Sequence, residues 1–157
     1  MPEFGKGEKI DRKVIFAHAK ASAVWKPCSA SALQEVCGQA TKNARYLGKF
    51  AQDVPPRAMK WHNQQWKLGA LGPFPRVRHP TGTNKEVWTM IRKAIRDMRS
   101  NNEIWIVLGQ ILSKSELLRQ LTSKPAPREA VQAAYLLFTA AQAAYAVNAK
   151  LRVLCSP

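Results

Sequence analysis

Apolar residues recur at helical spacing in two stretches of this chain. Within residues 31–52, Leu33, Val36, Cys37, Ala40, Ala44, Leu47 and Ala51 fall on one stripe, and Ser31 with Gln34 has the form of a capping box. Within residues 84–100 the stripe is Val87, Ile91, Ala94, Ile95 and Met98, opened by a second capping box, Thr83 with Glu86. Residues 13–27 are apolar with scattered lysines and have no clear period; Pro27 ends whatever they form. The run EIWIVLGQIL at 103–112 fits a buried helix or a strand. Its helical neighbours favour a helix, although Gly109 weakens it. Ser113 with Glu116 opens a short helix to about Leu121, and Pro127 suits the first position of a last helix running to about Val153.

Between these elements, residues 53–83 hold Pro55, Pro56, Pro73, Pro75 and Pro80 with Gly69, Gly72 and Gly82, so a long helix cannot form there. A connection of that length inside a compact domain is uncommon and often functional. Residues 130–149 carry no charge and are long enough to span a bilayer. Nine of these 20 residues are Ala, which is barely apolar and permits close packing against neighbours, and Gln132, Thr139, Gln142 and Asn148 would be costly in lipid. They are expected to form the buried central helix of a bundle. The expected fold is therefore all-α: a single-domain helical bundle of about four to six helices over residues 13–154, with a long basic Pro/Gly-containing loop at 53–83 and a flexible tail at 1–12.

Composition sharpens the functional side. The 157 residues include 25 Lys and Arg against 10 Asp and Glu, a formal charge of +15, and 46% are apolar. That apolar content argues against wholesale disorder. Three cysteines, Cys28, Cys37 and Cys155, are too few and too odd in number for a disulfide scaffold, so free thiols in a reducing compartment are expected: cytoplasm or nucleus, or a virion if the source is viral. No secretory or lipidation signal is expected from the charged, Gly-containing N-terminus. A surplus of +15 repels itself unless a polyanion offsets it.

The cations are patterned. At about 100° per residue, Arg92, Arg96 and Arg99 fall within about 40° of Lys85, on the face of the 84–100 helix turned away from its apolar stripe, with Asp97 on the flank. Such a row can follow phosphates. Between Asp53 and Glu86 there is no acid, whereas Arg57, Lys60, Lys67, Arg76 and Arg78 occur there with Trp61, Trp66 and Phe74. Cations interleaved with rings on a loop match how single strands are held, the rings stacking on bases. For Trp61 and Trp66 the competing role is to anchor the loop on the core. Lys42, Arg45 and Lys49 form a third, shorter patch opposite the first apolar stripe.

Catalytic signatures are missing. There is no H-E-x-x-H, P-loop or G-x-S-x-G, and His18, His62 and His79 are scattered. No cofactor, metal or enzymatic activity is expected. The function expected from these observations is non-catalytic nucleic-acid binding, RNA or single strands favoured, through phosphate contacts with little sequence preference, as in a nucleocapsid-type packaging subunit that forms a homo-oligomer. The alternatives are a peripheral, matrix-like protein that meets anionic lipid with the same face, and a helical adaptor that docks acidic proteins.

Overall fold

The computed structural model describes residues 13–56, 58, 65–68, 71–75 and 82–157. It overturns the all-α expectation: the chain is α/β, organised on a parallel sheet. Strands β1 (Lys13–Ala21), β4 (Asn101–Gly109) and β5 (Lys150–Leu154) form a three-stranded sheet in the order β1-β4-β5, both pairings parallel. Helices α1 (Ala30–Ala44) and α2 (Asn84–Arg96) lie between β1 and β4; α3 (Lys114–Leu121) and α4 (Arg128–Ala146) lie between β4 and β5. Within the expected basic loop, β2 (Gln65–Leu68) and β3 (Leu71–Pro75) pair as an antiparallel hairpin.

Three segments account for the error. Residues 13–21 alternate, but both sets are largely apolar: Val14, Phe16 and His18 turn inward, while Ile15, Ala17 and Ala19 turn outward. With no polar face, the period of two is hidden. The 103–112 run supplies most of the central strand β4, which begins two residues earlier at Asn101, and a continuous apolar run is how a buried parallel strand reads. The last helix stops at Ala146 rather than near Val153, because Asn148 adopts φ 56° and turns the chain into β5. The first helix also ends early, at Ala44, followed by a 3-10 turn over Arg45–Leu47. Its N-cap is Ser29, without a side-chain bond, so the Ser31–Gln34 box is not used. The Thr83–Glu86 box forms in full, and the Ser113 hydroxyl caps Glu116 N–H.

The core lies between one sheet face and the helices. Ile104, Ile106 and Leu108 of β4, Leu33, Val36, Cys37 and Ala40 of α1, and Ala133, Ala140 and Ala144 of α4 form one buried cluster, in which α1 packs on both β4 and α4. Small residues let α1 and α4 approach closely, as the composition of residues 130–149 suggested. However, α4 is not a central buried helix, since Val131, Tyr135, Phe138 and Tyr145 stay exposed. Among the described residues no helix is long and apolar enough to cross a membrane.

The opposite sheet face carries Lys13, Ile15, Glu103, Trp105, Val107 and Arg152. At its centre the Glu103 side chain is 0% exposed, closed over by its partners. Arg152 donates from Nε and Nη2 to its two oxygens at 2.9 and 3.2 Å, Trp105 Nε1 donates at 2.6 Å, and Lys13 Nζ lies 3.3 Å away. One charge thus ties all three strands together. Farther along, a Cβ on Gly109 would meet the Ala21 Cβ at 3.0 Å across the β1–β4 pair. Gly109→Ala is expected to cost about 1–3 kcal/mol in urea unfolding, from crowding between two paired strands. An unchanged midpoint would show that the pair spreads freely.

Candidate nucleic-acid interface

A tight turn sets the site. Helix α2 ends at Arg96 and β4 begins at Asn101. Buried Asn102 donates from Nδ2 to the Ile95 carbonyl at 3.3 Å and accepts from Ser100 Oγ at 2.9 Å, which holds the last turn of α2 against the sheet. Past α1, the chain at 49–52 crosses this last turn.

Two arginines clamp that crossing. Arg92 donates to the Gln52 carbonyl at 3.1 Å, to Gln52 Oε1 at 3.0 Å and to the Ala51 carbonyl. Arg96 Nε donates to the Lys49 carbonyl at 3.2 Å. All acceptors are neutral, so both positive charges survive. Two adjoining grooves of about 560 and 450 Å3 result, sharing Gln52 and Arg96. Lys93 lines the first and Lys49 the second. Lys49 Nζ rests on Met98 Sδ at 3.4 Å, a weak acceptor that leaves its charge unopposed. The acid on this surface, Asp97, is paired with Arg99 at 3.3 Å. Beside the lysine, Phe50 is 93% exposed and Met98 is 82% exposed. A phenyl ring this bare among cations is the feature of the surface that burial does not explain.

The expected site residues divide by position. Lys49, Arg92 and Arg96 come together in the grooves. Arg99 follows the end of α2, is engaged by Asp97, and so leaves the helical row. Lys85, on the first turn, is about 16 Å along the axis from Arg96. Arg45 stacks on the Tyr46 ring at 4.8 Å, donates to its hydroxyl at 2.7 Å and lies 4.0 Å from Asp53. Lys42 lines a different cavity, between α1 and α2. Arg57, Lys60, Trp61, Arg76 and Arg78 lie outside the described residues, and Trp66 and Lys67 are placed only as positions in β2. Phe50 and Lys93 escaped the sequence reading, and Met98, read there as part of the apolar stripe of the second helix, instead lies past the end of α2 and is exposed. The available signal for Phe50 was an aromatic residue directly after Gly48-Lys49 that falls about 100° off the first apolar stripe. The thiols of Cys28, Cys37 and Cys155 are free, and burial pushes Cys37 up to about 11, which makes it unreactive. Among the described residues no cluster of three His, Cys, Asp or Glu could hold a metal ion.

Compared with protein-family models, curated proteins and solved structures, the chain matches none.

Proposed function

We propose that the chain is a non-catalytic nucleic-acid-binding protein that holds single-stranded RNA through phosphate contacts, with little sequence preference. The observation that carries this reading is the open basic groove of Lys49, Arg92, Lys93 and Arg96 with bare Phe50 at its rim. Cations follow the backbone, and an unpaired base can stack on the ring. A duplex keeps its bases stacked inside and gives Phe50 nothing to face. The free thiols fit a reducing compartment.

A second reading draws on the same residues. Exposed Phe50 and Met98 between cations also have the make-up of an anchor in an anionic lipid surface. Fluorescence anisotropy with a mixed-sequence single-stranded RNA, run in parallel with flotation on vesicles with and without anionic lipid, separates the two. The expected result is RNA binding that weakens steeply with salt, with Phe50→Ala losing about tenfold in affinity at unchanged thermal stability. Flotation with anionic vesicles and no RNA binding would transfer the site to the membrane reading.

A further inference from the structure

We propose that the cavity between α1 and α2, over β1, is a pocket for one nucleotide of the bound strand, its base seated against aromatic walls and its edge met by the Asn43 amide and the His18 imidazole. This rests on the single-strand reading above.

The cavity measures about 630 Å3, well beyond a packing fault and within the range of small-molecule sites. Phe16 of β1, Tyr46 after α1 and Trp88 of α2 supply its rings, the last two set edge to face at 6.3 Å between centroids. Polar groups converge on the same space. Gln39 and Asn43 are one helical turn apart on α1, and exposed Lys42 lies beside them. From the strand below, His18 contributes an Nε2 that is buried without a hydrogen-bond partner among the described residues. Burial also lowers the pKa of this imidazole, so near neutral pH it is an uncharged ring with one donor and one acceptor nitrogen.

The combination defines the ligand class. A purely apolar guest would leave the buried His18 Nε2 without a partner and would not use the amides of Gln39 and Asn43. A sugar alone would leave the rings without a stacking partner. A planar heterocycle with a hydrogen-bonding edge satisfies both, and Lys42 supplies a cation for an attached phosphate. The route from groove to cavity is short in the chain. Residues 49–52 line the grooves, whereas Pro55 and Pro56 line the cavity; on α2, Arg92 and Lys93 face the groove while Trp88 and Ile91 face the cavity. A strand lying in the groove can therefore turn one base behind α2.

The test uses the full chain and two kinds of probe. The four nucleoside 5′-monophosphates and ribose 5-phosphate are titrated while the His18 and Asn43 resonances are followed by NMR. A single-stranded RNA and an abasic strand of equal length are compared by anisotropy. At least one nucleotide is expected to shift both resonances and to bind at least about tenfold tighter than ribose 5-phosphate. Asn43→Ala is expected to remove that advantage, and also the preference for the base-bearing strand, with abasic-strand affinity unchanged. His18→Phe, which keeps a planar ring of similar size but removes both ring nitrogens, is the second variant and is expected to lose the same advantage, its folding checked by circular dichroism. The pocket is overturned if no nucleotide moves these resonances, or if ribose 5-phosphate binds equally well. Nucleotide binding with no strand binding would uphold the pocket and sink the groove; strand binding with equal affinity for the abasic strand would do the reverse.

Discussion

Reversing the charge at Lys49 and Lys93 together, K49E/K93E, is expected to weaken binding to mixed-sequence single-stranded RNA by about 100-fold at 0.1 M salt. Each phosphate contact on a single strand contributes about 0.7 to the slope of log affinity against log salt, so losing two lowers the slope by about 1.4. At 0.1 M salt that alone is roughly 25-fold, and the two new carboxylates add repulsion. These lysines are the informative pair because they hold no backbone in place. Arg92 and Arg96 clamp residues 49–52, so their reversal would lower the melting temperature as well and confuse the two effects. Binding isotherms at four salt concentrations settle the matter. A slope identical to the parent protein would mean that the grooves carry no phosphate.

Acidification is expected to loosen the sheet through Glu103. Hydrogen bonds from Arg152, then from Trp105, hold its carboxyl at about 2 instead of 4.5; burial opposes them, and Lys13 adds a smaller favourable contribution. The folded pKa lies below the unfolded one, so the unfolded chain binds more protons across this range. The contribution is complete above about pH 4.5 and is lost as pH falls toward 2. Glu116, held at about 2 by Arg119 and then Gln120, titrates in the same window, but it sits on one short helix. Glu103→Gln separates the two. It is expected to lower the melting temperature by roughly 5–10 °C at neutral pH and to flatten the fall between pH 5 and pH 2.5. Arg152→Ala should start acid unfolding at a higher pH, since the carboxyl loses its main partner. Parallel pH profiles for parent and Glu103→Gln would show that the charge holds nothing together.

The helices were legible because one side of each is wet. Leu33, Val36, Cys37, Ala40, Ala44 and Leu47 of the stripe read from spacing are buried, with Ala51 half-buried past the end of α1, and Thr83 with Glu86 announced the start of α2. The strands were not, because their signals are weaker than those of their surroundings. Strand β4 is apolar on both sides from Ile104 to Leu108, and β1 hides its alternation behind alanines. In β5, Lys150 and Arg152 do alternate with Leu151 and Val153, but five residues were absorbed by the long Ala-rich helix before them. The site was half visible. Spacing placed Arg92 and Arg96 side by side. That their partners would be backbone carbonyls of 49–52, with Phe50 left bare, depends on a chain crossing that no local pattern encodes.

The turn from α2 into β4 has one more consequence. Open parallel sheets commonly receive ligands beyond the carboxyl ends of their strands, where helix amino termini offer N–H groups to anions. Here that end is stitched shut: Ser113 N–H donates to the Pro27 carbonyl, Lys114 N–H to the Ser156 carbonyl and Ser113 Oγ to the Pro157 carbonyl. The grooves open instead at the opposite end, beside the carboxyl terminus of α2, whose dipole repels phosphate. Lys93 and Arg96 in that final turn must first cancel this field before they can attract anything. An anion there is gripped by side chains alone, with no peptide cradle beneath it, and such a grip dissolves as counterions crowd in.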